Sequence, residues 1–357
     1  MSAEPRIANT TLIFDGHNDV LSKLREAGGP DHAETFCGDT DFDIDMIKAA
    51  QGGFAGGFFA LWVHSPDTGT DYQSLMVQDH YDIPLPEPVA QSDALDIVLE
   101  QTAILLRLQE LGAVKICTTV NELRASFGSG QLAAILHMEG CEAIDNNFHA
   151  LDVLHAAGLR SLGPVWSRST IFGHGVPFRF PSTPDIGTGL TEDGKELVKR
   201  CNNMGIMLDL SHLNAAGFLD VAKLSDAPLV ATHSNAHALC AHARNLTDEQ
   251  LEIIKASKGL VGLNYAAAFL RADGRMLPDV PIRQMLKQLD YLITRLGEDG
   301  VGLGSDFDGA VVPESINNCA GLPNLVDAMQ KHGYGENLIR KLCHNNWFDV
   351  LERTWSA

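Results

Sequence analysis

Several apolar runs in this chain end in residues that ionise or bind metal. Leu12-Ile13-Phe14 leads into Asp15-Gly16-His17-Asn18-Asp19. LAAILHMEG (132–140) closes on His137 and Glu139, and GIMLDLSH (205–212) on Asp209 and His212. PLVATHSN (228–235) closes on Thr232-His233-Ser234, and GVGLGSDFDG (300–309) on Asp306 and Asp308. Burying such groups is expensive unless something pairs with them. His17 and Asp19, two apart, share one side of an extended chain. Imidazoles and carboxylates together make a nitrogen and oxygen ligand set, and this many exceeds the needs of one four-coordinate zinc. Two divalent cations are expected, and a carboxylate on a cation is no longer an unpaired charge. Each residue also has a plainer account. A lone strand-end histidine is often a hydrogen-bonded loop residue, and Asp209 or Asp308 can cap a turn or a helix. His137 shares a face with Glu139 and suits a ligand's partner. Turn chemistry does not account for all the runs at once.

The elements that must gather these residues are short apolar runs, each followed by a longer amphipathic stretch. They are TLIFDGHND (11–19), GGFFALWV (56–63), LAAILHMEG (132–140), RSLGPVW (160–166), GIMLDLSH (205–212), PLVATHSN (228–235), GLVGLNYA (259–266) and GVGLGSDFDG (300–309). Near-continuous apolar strands alternating with helices predict a parallel sheet covered by helices. Eight of them over 357 residues suit a closed (β/α)8 TIM barrel better than an open doubly wound sheet. No glycine-rich dinucleotide fingerprint follows the first run. Thr191 before Glu192-Asp193, and Thr247 with Gln250, mark helix starts. Regions 21–55, 64–92 and 168–188 read as loop insertions, and 1–357 reads as one domain. In a barrel, the carboxyl ends of all strands meet at one face.

A net charge of −20 argues against nucleic acid and gives no support for an anionic membrane surface. Seven cysteines without a CxxC pair are neither a disulfide framework nor a cysteine zinc site. Most should be small buried hydrophobes. MSAEPRIANT lacks the pattern of a secretory signal, no run reaches membrane-span length, and WFDVLERTWSA is no lipid-anchor signal. The expectation is a cytoplasmic protein. Barrel enzymes often pair, so a homodimer is also expected, though no stretch identifies an interface.

DGHND, the HMEG glutamate, DLSH, THSN and GSDFDG, in this order, resemble the membrane (renal) dipeptidase family of zinc peptidases, peptidase family M19, in a soluble bacterial form. The likeness runs from the first strand to the eighth. It implies a barrel of the metal-dependent hydrolase type holding two Zn2+ ions. His17 and Asp19 would hold one and His212 and His233 the other, with Glu139 and a shared water or hydroxide bridging them. Asp306 would carry the proton from the hydroxide to the leaving amine. Arg244, in CAHARN, falls where the family has an arginine for the substrate's terminal carboxylate; its plainer account is a surface arginine before the Thr247 cap. One departure concerns the family's histidine after strand four, thought to contact the substrate carbonyl. That position is Trp166 here, and an indole carries no positive charge. His174 or Arg179, in FGHGVPFRF, is then a candidate for the missing donor.

The implied activity is hydrolysis of dipeptides, including those with a D-residue at the carboxyl end. A metal-dependent amidase acting on N-acyl amino acids, or a barrel that keeps its metals without catalysis, are the other readings. No serine or cysteine nucleophile is needed, and no GxSxG elbow is present.

Overall fold

The computed structural model describes residues 11–65 and 72–355. The amino-terminal MSAEPRIANT, residues 66–71 of the 64–92 insertion and the last two residues of the carboxyl end lie outside the described residues. Eight strands form the barrel among those described. They are β1 (Ile13–Asn18), β2 (Phe54–Trp62), β3 (Leu132–Glu139), β4 (Leu159–Gly163), β5 (Met207–Leu208), β6 (Val230–Ala231), β7 (Leu260–Asn264) and β8 (Val301–Gly304). β1 to β5 pair in chain order, as do β6 to β8, all parallel. Two parallel bridges, Asp209 to Val230 and Asn18 to Phe307, join the two sheets into a closed ring. The barrel expected from the eight apolar runs is therefore the fold.

The two faces of the strands bury different cores. An outer layer packs Ile13, Phe59, Leu61, Leu136 and Leu263 against the surrounding helices. Inside, Phe14, Phe58, Ile135, Met207, Val230 and Leu260 come from six different strands and meet as one cluster. Trp347, from the carboxyl-terminal helix Asn346–Trp355, completes that cluster, and its Nε1 donates to Leu303 O at 3.0 Å. Glycine makes the room: an added Cβ would stand 2.5 Å from the indole at Gly16 and 2.6 Å at Gly302.

Three details depart from the sequence reading. The 21–55 insertion is not a plain loop but holds helices Val20–Glu26 and Met46–Gly52 around a 3-10 run, Gly29–Cys37. Helices of two turns are too short to show a period. A strand not expected, Val114–Ile116, pairs with the lower half of β3. β5 and β6 keep only two residues each in the ladder, because the polar residues after them turn toward the barrel mouth. Caps behave as read: Thr191 accepts from Gly194 N, and Thr247 and Gln250 form a capping box. Six cysteines are buried, and Cys37 is exposed. No helix among the described residues is long and apolar enough to cross a membrane.

Candidate metal centre

At the carboxyl end of β1, Asp19 holds the position before helix Val20–Glu26 where a carboxylate normally caps. Its side chain makes no cap bond. It turns instead toward His17, with Oδ2 3.3 Å from His17 Nε2. Glu139 ends β3 and reaches across the mouth. Its Oε1 lies 3.6 Å from His17 Nε2, 2.9 Å from His212 Nε2 and 3.4 Å from His233 Nε2. Ligand atoms of His17, Asp19 and Glu139 lie within 4.8 Å of one another, as do those of Glu139, His212 and His233. One carboxylate thus belongs to two ligand triads. The five residues predicted as ligands come together.

Hydrogen bonds behind the imidazoles fix which nitrogen faces the cluster. The Thr232 hydroxyl donates to Asp209 Oδ2 at 2.6 Å, so it accepts from His233 Nδ1 at 2.8 Å. Ser167 Oγ stands 2.9 Å from His212 Nδ1 and can accept from it in the same way. With Nδ1 protonated, each ring presents an Nε2 lone pair, as a ligand needs. Burial, together with the charges of Arg244 and His17, holds both imidazoles well below their usual pKa, and so neutral. Burial alone would also lower His17, but Glu139 and Asp19 outweigh it and push it up to about 10. Burial raises Glu139, with the Asp19 and Asp306 carboxylates adding to the attraction for a proton. A buried cluster this rich in carboxylates calls for positive charge, and the donor set of nitrogens and oxygens fits divalent cations.

Asp306 follows β8 with φ +63°, and its Oδ2 accepts from Asn264 Nδ2 at 2.9 Å. Burial raises its pKa against the pull of His17, and Asp19 raises it further. A carboxyl so placed at a cavity floor suits proton transfer. The motif glycine is required beside it: a Cβ on Gly309 would stand 2.8 Å from Asp306 Oδ1 and closer still to Asp19 Oδ2.

Above the cluster opens a cavity of about 440 Å³, with Asp19, Glu139, His212 and Asp306 on its floor. Its size suits a small molecule. Trp62, Trp166 and Phe178 form an aromatic wall, with centroids 5.2 Å apart for the first pair and 5.6 Å for the second. Trp166 also lies 5.9 Å from the His212 ring. Arg244 is buried, not a surface residue. Its guanidinium donates to the carbonyls of Ser211 and His233 and stacks 5.3 Å over Phe269, while its Nε has no partner. Neither Arg244 nor His174 nor Arg179 lines the cavity. His174 Nδ1 lies 3.0 Å from Ser169 Oγ, and Arg179 Nε donates to Asp82 Oδ1 at 2.6 Å. Donors that do line the cavity include His64 and Ser65, just past β2.

Sequence reasoning did not assign roles to Ser167, Asn264 or Trp62. Asn264 carried the same signal as the ligands, a polar residue at the end of an apolar run. A single hydroxyl such as Ser167, in a loop, carried none.

The family model of membrane dipeptidase, peptidase family M19, matches residues 1–356. A metallopeptidase from Rhodobacter sphaeroides, liganded with a phosphinate mimic of the dipeptide L-Ala-D-Ala, superposes with a TM-score of 0.94. It is 51% identical, with 97% of this chain and 100% of that one covered. A protein of Klebsiella pneumoniae encoded in the pqqA 5′ region is 43% identical over 265 residues, 74% of this chain and 98% of its own. A dipeptidase of Claviceps purpurea, tcpJ, is 24% identical over 342 residues, 94% of this chain and 76% of its own. With its barrel and ligand cluster, this chain belongs to the membrane dipeptidase family, peptidase family M19, and is a metallo-dipeptidase.

Proposed function

We propose that the chain hydrolyses dipeptides with two zinc ions, held by His17, Asp19 and Glu139 on one side and by Glu139, His212 and His233 on the other. The observation that carries this reading is the single Glu139 oxygen within 3.6 Å of three imidazole nitrogens. When bound, such a pair supplies a water of lowered pKa and a Lewis acid for the peptide carbonyl. Asp306 takes the proton of the attacking water and returns it to the leaving amine. Asn264 steadies that carboxyl through its bond to Oδ2. Arg244 receives the terminal carboxylate of the substrate once its buried guanidinium turns from the Ser211 and His233 carbonyls toward the cavity. Trp166 serves as wall rather than donor, narrowing the space over His212. The R. sphaeroides relative is liganded with a mimic ending in D-Ala, which puts L,D-dipeptides first among substrates to test.

Metal analysis of the purified protein, run beside an assay on L-Ala-D-Ala, L-Ala-L-Ala and N-acetyl-alanine, tests this reading. Two equivalents of zinc and release of free alanine from the L,D-dipeptide are expected. Faster cleavage of N-acetyl-alanine would move the activity to an amidase, for which the aromatic wall offers room for an acyl group. Two bound zinc ions without turnover would mean a silent barrel.

A further inference from the structure

Beneath the ligand cluster sits a group that the proposed chemistry leaves unused. His137, two residues before Glu139, is fully buried, and its Nδ1 lies 2.9 Å from Ser161 Oγ. Its Nε2 has no hydrogen-bond partner and faces Asp209 Oδ2 across 3.6 Å. Nδ1 of His17 is also unpartnered, and the two rings meet edge-on with centroids 5.5 Å apart. Asp209 accepts from the backbone and hydroxyl of both Ser211 and Thr232. Through Thr232 it fixes His233. Atoms of His17, Asp209 and His233 lie within 4.8 Å of one another, so this carboxylate stands under imidazoles of both halves of the centre.

We propose that His137 is a positioning residue for the metal centre, holding the Asp209 carboxylate beneath His233 and His17 so that both imidazoles present Nε2 to the metals. A carboxylate only accepts, so the Nε2 that faces Asp209 carries the ring proton and Ser161 Oγ donates to Nδ1. Closing that gap to a direct bond takes about half an ångström, or one bridging water. Histidine ligands are oriented by what holds their rear N–H. His212 has Ser167 and His233 has Thr232. His17 Nδ1 has no such partner among the described residues, and the Asp209 and His137 group lies beside it. Buried nitrogens on an otherwise apolar strand call for such an account, since a phenyl ring would pack against Phe58 as well. A third cation is a poor fit, because Asp209 already accepts four hydrogen bonds and His233 Nδ1 is engaged.

The test replaces the ring without its nitrogens, His137→Phe, and with a donor retained, His137→Gln. Metal-free protein is titrated with zinc against a chromophoric chelator, and its Tm is recorded before loading. His137→Phe is expected to weaken at least one of the two metal affinities by roughly 10- to 100-fold, the usual cost of losing a ligand's hydrogen-bond partner. His137→Gln should recover most of that loss. Ser161→Ala, behind the ring, keeps the claim testable if His137→Phe fails to fold; a several-fold loss of affinity is expected. Affinities unchanged in the variants would overturn the proposal. So would equal losses in both His137 variants that merely track the metal-free Tm, or a third equivalent of metal in the parent protein. The proposal rests on the two-metal reading above, yet a parent that binds two zinc ions and cleaves no dipeptide would sink the dipeptidase assignment and leave this test intact.

Discussion

The two ends of the barrel lumen are built by the same strands and behave as opposites. β1 contributes Phe14 below and His17 above, β3 Ile135 and Glu139, and β6 Val230 with His233 just beyond its end. Below, rings interlock edge to face, Phe14 against Phe58 at 5.8 Å, and the Trp347 N–H finds a carbonyl. Above, imidazole nitrogens stand unpartnered and carboxylates crowd each other. A few residues along each strand therefore separate a region that stabilises the fold from one that strains it. Function is assembled where the packing below is secure enough to tolerate buried charge.

Breaking the upper end should cost activity and spare the fold. Glu139→Gln removes the charge common to both ligand triads. A loss of about 10³-fold or more in kcat/KM is expected, beyond the 10- to 100-fold seen when only a ligand's partner is lost. Metal analysis should show both sites weakened. The metal-free Tm should hold or rise, because burial makes the ionised carboxylate unfavourable in the folded state, as its raised pKa records. A sharp fall in that Tm would erase the contrast. Breaking the lower end should do the reverse. Trp347→Ala opens a cavity in the lumen and should destabilise by about 3–5 kcal/mol. Denaturant titration measures that loss, while kcat/KM of the folded fraction stays near the parent value. Gly309→Ala acts at the upper end again. Its methyl group enters the space of Asp19 and Asp306, and a fall of about 10²-fold in kcat is expected, comparable to losing one preorganised group.

The contrast also explains how much could be read from sequence. His17, Asp19, Glu139, His212, His233 and Asp306 were legible because each interrupts an apolar run, and barrel closure brings the run ends to one face. The lower core was legible as apolar runs, but Trp347 as its plug was not, since a helix far along the chain supplies it. Arg244 gave no sign of burial, because Phe269, on the short helix Ala267–Leu270, and the Ser211 carbonyl that cover it come from other parts of the chain. His174 or Arg179, in the loop downstream of Trp166, was the candidate for the missing donor. Chain distance does not say which way a loop folds, and Ser169 and Asp82 hold them elsewhere. The short helices at 20–26 and 46–52 and the strand Val114–Ile116 carried too few residues for any period to show.

The smallest effect separates two residues that look alike in sequence, each standing just before a helix. Thr247 caps its helix, accepting from Gln250 N while Gln250 Oε1 accepts from the Thr247 backbone. Asp19 has the same position ahead of Val20 and caps nothing. Thr247→Ala should cost about 1 kcal/mol of stability, the ordinary price of a lost cap, and leave kcat/KM unchanged. Asp19→Asn keeps the shape and removes a charge facing His17, so its stability cost should follow the charge of His17, fading as pH rises through about 10, while zinc affinity on that side falls. Paired denaturant and chelator titrations on the two variants check both halves. A stability loss in Asp19→Asn that matches that of Thr247→Ala and does not change with pH would show Asp19 acting as a cap after all, and the division between holding the fold and holding the metals would not extend to the helix ends.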